Sequence, residues 1–444
     1  MEQVLIKAAQ LILSLSILVI LHEFGHYAFA RLFKTRVEKF YLFFDPWFSL
    51  FKVKKGDTEY GVGWLPLGGY VKISGMIDES MDKEAMSQEP QPWEFRSKKA
   101  YQRLLIMIGG VLMNFILAFI IYIAILYAYG TEYLPTENAK YGIMVNEAGE
   151  EIGLQNGDKI LAVDGQYIEN FQKILPTVVL DKAHTITVER DGQKVDIEIT
   201  DEHLVPLIKG EVDITPRYLF DCSVGKVAKD SPASEAGLEK GDKFVSVDGQ
   251  TFQFYDQFIK YLRAHKEKQV TVSVLRDNQP MDIPVVVSEE GKLGFQADFD
   301  EETMSYLQTK TTKYTFAESI PAGINKGVNT VKDYLKQFKL IFSPKTKAYE
   351  SLGGFISIGN IFPGAWDWYA FWNMTAFLSI ILGVMNLLPI PALDGGHVTF
   401  LLFEMITGRK PGEKFLEYAQ ITGMIILLAL VLFANANDIF KLFK

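Results

Sequence analysis

Five consecutive residues, His22-Glu23-Phe24-Gly25-His26, carry the most legible chemistry of this chain. On an α-helix a spacing of four puts both imidazoles on one face, one turn apart. Two neutral imidazoles so placed suit a tetrahedral zinc ion. A glutamate beside the first of them is the residue type that takes a proton from water made acidic by the metal. The motif closes an apolar run, 8–21, long and bare enough to lie in a bilayer. The plain alternative is a chance pair of core histidines, weighed against only six His in the whole chain.

Ionisable groups inside a membrane helix are costly, so they mark function by default. A soluble zinc protease has no reason to bury this motif in hydrocarbon, whereas a protease that cuts within membranes does. A two-histidine zinc site also needs a third protein ligand. A metzincin would place Gly at 29 and His at 32, where this chain has Phe29 and Leu32. A gluzincin takes a Glu from a downstream helix, but Glu38 lies too close and follows basic loop residues.

The better candidate stands far along the chain, in Asn386-Leu-Leu-Pro-Ile-Pro-Ala-Leu-Asp394-Gly-Gly-His397. Pro389 and Pro391 break a helix there, and the Gly pair lets the backbone turn and approach another element closely. Asp394, at the end of an apolar segment, is costly without a cation. Its alternative role is a helix cap, with the carboxylate on free backbone N–H groups.

The length, 444 residues, allows two to four domains. A net charge of −9 gives a nucleic-acid partner no electrostatic support. Cys222 is the only cysteine, which excludes an intramolecular disulfide and a thiolate metal site. Hydrophobic residues make up 48%, strongly segregated along the chain. Four apolar segments read as membrane spans: about 5–29, 104–129, 371–388 and 419–434, the last near the lower length limit. The first leads into the metal motif rather than a small-residue cleavage site, so it reads as a span and not a secretory leader.

Lys and Arg near the span ends set the orientation. Arg31, Lys34, Arg36 and Lys39 follow the first span, and Arg96, Lys98, Lys99 and Arg103 precede the second. Arg409, Lys410 and Lys414 lie between the third and fourth. Loop 31–103 is therefore expected in the cytoplasm, with both termini and about 130–370 outside it. Within that loop, 61–76 alternates apolar residues with paired glycines, which predicts a short hairpin. It lies either on the surface or dips into the bilayer beside the site, where irregular backbone needs protein or water around it. The acidic, proline-bearing stretch 77–95 reads as a surface connector.

An internal repeat follows. Gly153-Leu-Gln-Asn-Gly-Asp-Lys-Ile-Leu-Ala-Val-Asp-Gly-Gln166 recurs as Gly237-Leu-Glu-Lys-Gly-Asp-Lys-Phe-Val-Ser-Val-Asp-Gly-Gln250. Each copy leads into a helical stretch and then alternating strands broken at Asp191-Gly192 and Asp277-Asn278, the residue pairs of tight hairpin turns. Both copies resemble PDZ domains, which bind peptides by adding a strand to a sheet edge. Their grooves either take peptide or only shape access. Beyond them, 315–342 has apolar residues at helical spacing with interleaved lysines, so it lies along the outer membrane surface or packs on the repeat pair. The Gly-rich apolar stretch 352–364 is too short for a span.

Taken together, the HExxH motif in the first span and Asn-x-x-Pro-x-Pro-x-Leu-Asp-Gly-Gly-His after the third resemble the site-2 proteases, intramembrane zinc metalloproteases. The tandem PDZ-like repeat between the second and third spans resembles their RseP-like bacterial subgroup. The resemblance implies Zn2+ held by His22, His26 and Asp394, with Glu23 catalytic and Asn386 a substrate or oxyanion contact. The stretch 109–115, Gly-Gly-x-x-x-Asn-Phe, also looks like the family's second span. Asn114 there either polarises the core or makes an ordinary interhelical hydrogen bond, and His397 matches without a catalytic part.

The fold class implied is a multi-pass α-helical membrane protein with four transmembrane helices and two inserted extracytoplasmic α+β PDZ-like domains. The expected divisions are 1–130, 131–210, 211–300, 301–370 and 371–444. The expected activity is regulated intramembrane proteolysis in a bacterial inner membrane. Its substrates would be single-pass membrane proteins already shortened by another protease, such as anti-sigma factors and signal-peptide remnants. A membrane-anchored PDZ scaffold without activity and a cytosol-facing membrane zinc protease are the alternatives.

Overall fold

The computed structural model describes residues 2–66, 68–76, 89–341, 343 and 348–443. Six long helices are used below: Glu2–Leu32 (α1), Ala100–Tyr129 (α2), Phe316–Ile341 (α3), Trp368–Asn386 (α4), Asp394–Thr407 (α5) and Glu413–Leu442 (α6). Of the described helices, α1, α2, α4 and α6 are long and apolar enough to cross a membrane. All four apolar segments read from sequence fall within helices or run into their ends. The fourth, thin by its apolar centre, is 30 residues as a helix because polar residues such as Glu417 and Asp438 extend it at both ends.

The chain divides into two compact units. One comprises Met1–Gly130, Lys313–Phe338 and Leu352–Lys444; the other comprises Thr131–Thr312 and Lys339–Ser351.

In the membrane unit, α1 and α2 meet through glycines. A Cβ on Gly25 would strike the Gly109 backbone, and one on Gly109 would strike that of Gly25. This close approach brings the α1 motif against the α2 backbone. Helix α4 packs on α2, where the Ser379 hydroxyl donates to the Asn114 carbonyl at 2.7 Å. Helix α3 joins the same unit: a Cβ on Gly323 would strike the backbone of Ile123, and one on Gly327 the ring of Phe119. Lys326 of α3 donates to Asn373 at 3.0 Å and lies 4.8 Å from the Tyr122 ring centre. Small residues four apart allow this docking. The lysines that read as a surface-lying helix include one that is spent between helices.

The loop after α1 forms a four-stranded sheet of Val37–Leu42 (β1), Phe44–Lys55 (β2), Thr58–Leu65 (β3) and Tyr70–Ile73 (β4), in the order β2-β3-β1-β4. Here the structure corrects the sequence expectation. Segment 61–76 is not a hairpin, because β1 runs between β3 and β4, parallel to the first and antiparallel to the second. The hairpin lies earlier, between β2 and β3, turning at Gly56 with φ +64. The paired glycines misled the reading: a Cβ on Gly69 would strike the Tyr41 carbonyl of β1, so this glycine serves a close approach to β1. Of the expected connector 77–95, residues 77–88 lie outside the described ones.

The second unit holds Thr131–Tyr133 (β5), Ile143–Val145 (β6), Lys159–Val163 (β7), Thr185–Arg190 (β8), Gln193–Glu198 (β9), Ile214–Pro216 (β10), Cys222–Val227 (β11), Lys243–Val247 (β12), Gln269–Arg276 (β13), Gln279–Val286 (β14), Phe295–Phe299 (β15) and Lys310–Thr312 (β16). Their sheets are β7-β8-β9, β14-β13-β12-β11-β15, β10-β6 and β16-β5. Two-residue turns with both φ positive, at Asp191-Gly192 and Asp277-Asn278, close β8-β9 and β13-β14. The repeat is also an electrostatic one. Arg190 holds Asp158 through two bonds of 2.7 Å and reaches the Gly153 carbonyl at 2.9 Å. Arg276 does the same to Asp242, at 2.7 Å twice, and to the Gly237 carbonyl at 2.8 Å.

Candidate metal centre

His22 and His26 are only 8% and 6% exposed, on the face of α1 turned to α2. Asp394 reaches them from the first turn of α5. The α4–α5 connection can be this tight because its glycines lie on it: a Cβ on Gly395 would strike the Leu388 carbonyl, and one on Gly396 would strike Pro391. Ala392 takes φ +87, a left-handed value that costs a residue with a Cβ. Gln420 of α6 steadies it by accepting the Ala392 N–H at 3.2 Å.

Three electron-pair donors then face one point. His22 Nε2 and His26 Nε2 are 3.2 Å apart, and Asp394 Oδ2 lies 3.2 Å from the first and 3.3 Å from the second. A tetrahedron with metal–ligand bonds of about 2.0–2.1 Å has edges of about 3.3–3.4 Å. The triangle is the face of such a tetrahedron. Asp394 Oδ2 is also buried without a hydrogen bond of acceptable geometry. The helix-cap alternative is not what the structure holds, since Leu393 is the N-cap and no side chain caps this helix. Among the described residues, His22, His26 and Asp394 form the one group of three that could hold a metal ion.

The ring nitrogens turned away from this point meet α2. His26 Nδ1 is 2.9 Å from the Ile106 carbonyl, an acceptor that fixes the proton on Nδ1 and leaves the Nε2 lone pair for a metal. His22 Nδ1 is 3.0 Å from the side-chain amide of Asn114. Between them Gly110 leaves room, because a Cβ there would strike both imidazoles. Asn386, the last residue of α4, brings its amide to 3.3 Å from His22 Nε2.

A cavity of about 490 Å³ opens on this centre, lined by Glu23, Tyr70, Met107, His397 and Gln420 among others. Strand β4 forms one wall and is the edge of its sheet. The structure thus brings together all five residues singled out in the sequence, with His397 in the same cavity wall. The sequence reading missed Gln420 and the Ile106 carbonyl. A lone Gln in an apolar helix was an available signal for the first; a backbone carbonyl has no sequence signal.

With the geometry in hand, comparison with known families is decisive. Residues 10–430 match peptidase family M50, and the chain belongs to that family, the site-2 proteases. Among its relatives is the regulator of sigma-E protease RseP of Escherichia coli (strain K12), 28% identical over 459 residues, covering 98% of both chains. The regulator of sigma E protease of Haemophilus influenzae is 28% identical over 97% of this chain and 98% of its own. A Campylobacter jejuni protein named "Putative zinc metalloprotease" is 30% identical over 97% of this chain and 92% of its own.

Proposed function

We propose that this chain is a zinc-dependent endopeptidase that cuts single-pass membrane proteins within their transmembrane segments, as one step of regulated proteolysis. The observation that carries the reading is the triangle of His22, His26 and Asp394, at tetrahedral spacing between helices of a membrane unit. Zinc bound there supplies Lewis acidity: it makes water acidic enough to lose a proton near pH 7 and polarises a peptide carbonyl. Glu23 takes the proton of the attacking water and later delivers one to the leaving amine. Asn386 presents its amide to the oxyanion that develops on the carbonyl. A transmembrane helix hides its amides in its own hydrogen bonds, so the substrate must first unwind. The open edge of β4, along the cavity wall, then pairs with the extended segment and holds it against the centre.

The basic residues flanking the spans support an orientation with 31–103 in the cytoplasm and both termini outside, in a bacterial inner membrane. Residues 131–210 and 211–300 are two PDZ-like modules on the outer side. The doubled motif, the doubled hairpin and the doubled Arg–Asp clamp support that reading. Relatives that bear the name regulator of sigma-E protease support anti-sigma factors as substrates. Prior shortening of those substrates by another protease is part of the same proposal.

The test is metal analysis joined to cleavage of a membrane-embedded reporter by the purified chain. We expect about one zinc per chain by the ligand count. Glu23→Gln should keep the zinc and lose about 10²- to 10⁴-fold in turnover. A chain without zinc, or a Glu23→Gln variant that cuts as the wild type does, would overturn the reading.

A further inference from the structure

The mechanism assigns no part to Asn114, which is fully buried in the middle of α2. Among the described residues its amide is the one polar group bonded to the Nδ1 side of the His22 ring, at 3.0 Å. Three groups crowd the other nitrogen: Asp394 Oδ2, His26 Nε2 and the Asn386 amide. A ring that gives its Nε2 lone pair to a metal must carry its proton on Nδ1, and that buried N–H needs an acceptor. Asn114 Oδ1 is such an acceptor, and it is buried without a partner while the Nδ2 end of the same amide faces the ring. Half a turn about the terminal torsion exchanges the two ends. The neighbouring ligand shows the same device in finished form, with His26 Nδ1 against the Ile106 carbonyl. Ile106, Gly110 and Asn114 recur every four residues on one face of α2, so one stripe supplies acceptor, clearance and acceptor to the two histidines.

We infer that Asn114 is a positioning residue for the metal centre: its side-chain oxygen accepts a hydrogen bond from the Nδ1–H of His22 and so holds the ring in the tautomer and orientation that present Nε2 to zinc. The inference rests on the proposed zinc site. It makes α2 a supporting element of the centre although α2 contributes no ligand. Ser379, which donates to the Asn114 carbonyl, fixes the residue from α4 without touching the ring.

Three variants of the full-length chain in detergent separate this role from simple packing. Asn114→Leu keeps the number of side-chain heavy atoms and the branch at Cγ and removes both polar atoms. Asn114→Ala removes the contact altogether, and Asn114→Asp keeps an acceptor and removes the donor. Zinc retention against a graded chelator is the readout, with the unfolding midpoint of the zinc-free chain measured beside it. We expect Leu and Ala to hold zinc about 10- to 100-fold less tightly, the usual cost of losing a ligand's supporting partner, and Asp to hold it at least as well as the wild type. Wild-type zinc affinity in Asn114→Leu would overturn the inference, and so would an Asp variant as weak as Ala. Where a variant fails to fold, ring ¹⁵N shifts of the zinc-loaded wild type decide: His22 protonated on Nδ1 supports the assignment, and His22 protonated on Nε2 overturns it. A wild type that binds no zinc would instead overturn the metal site itself.

Discussion

Asp394 of the membrane unit and the two clamped aspartates of the other unit are treated in opposite ways. Asp158 and Asp242 are each 1% exposed, and each is matched by an arginine of the same chain, Arg190 or Arg276, in a bidentate pair. Each also accepts a backbone N–H three residues before it, from Gln155 or Glu239. Asp394 lies in the apolar unit, and among the described residues its ion partners are two imidazoles, with no lysine or arginine. A buried carboxylate needs a cation, or hydrogen bonds enough to stand in for one, as Ser357 supplies to Asp438. In the repeat modules the fold supplies one, and the aspartates are structural. At the membrane centre the chain supplies only lone pairs, and the missing positive charge is the proposed metal.

The largest expected effect tests this contrast at its membrane end. Asp394→Ala should lose nearly all bound zinc and, with it, several kcal/mol of transition-state stabilisation, about 10³-fold or more in rate. The unfolding midpoint of the zinc-free variant should move little, because the carboxylate removed had no fixed cation to strand. Full zinc occupancy in that variant would remove Asp394 from the centre.

The opposite signature is expected in the repeat modules. Arg190→Leu strands a buried carboxylate and should destabilise the first module by about 3 kcal/mol, at the low end for a buried pair because the arginine is partly exposed. Hydrogen exchange of β7–β9 in the full-length chain reads this loss, while zinc content and reporter cleavage stay at wild-type levels. Unchanged protection would make the clamp ornamental.

A smaller effect follows from pH. Burial pushes the Asp242 carboxyl up, but hydrogen bonds from Arg276 and the Glu239 N–H, with the arginine charge, outweigh it and hold the group below its ordinary range. Its stabilisation is therefore complete above about pH 4, the unfolded value, and is lost as pH falls through the lower folded value. Cys222, the single thiol, is buried in the same module, so its labelling in rising urea reports opening. The urea midpoint should fall between about pH 5 and about pH 3, one unit either side of that reference. A midpoint that rises on acidification would reverse the sign and refute the clamp.

The smallest effect concerns what the modules do for the centre. If they filter substrates by size, removing about 140–298 should speed cleavage of a substrate with a bulky folded outer domain several-fold and leave a pre-trimmed one nearly unchanged. Recruitment through a peptide groove predicts slower cleavage of the trimmed substrate, and equal slowing of both would leave the filter untenable.

Residue order and type were enough for several features, each for a local reason. Apolar length marks spans because hydrocarbon tolerates few charges. A spacing of four puts His22 and His26 on one face whatever surrounds the helix. The doubled Gly-Asp…Asp-Gly pattern marks turns because those residues accept positive φ. What failed was the inference from local pattern to pairing. Paired glycines in 61–76 looked like a turn, yet β1 separates the two strands. The amphipathic pattern of α3 gave no sign that Gly323 and Gly327 dock that helix on α2.

Sequence by itself determined which groups could bind a metal and that most of them belong to apolar helices, because ligand chemistry and hydropathy are properties of residues. Tertiary structure alone decided that Asp394 reaches His22 and His26 at tetrahedral spacing. It also decided that an α2 carbonyl and Asn114 face their outer nitrogens, and that β4 and Glu23 line one cavity. Those facts depend on glycine contacts between helices distant in the chain, and spacing along a sequence carries no distance across a fold.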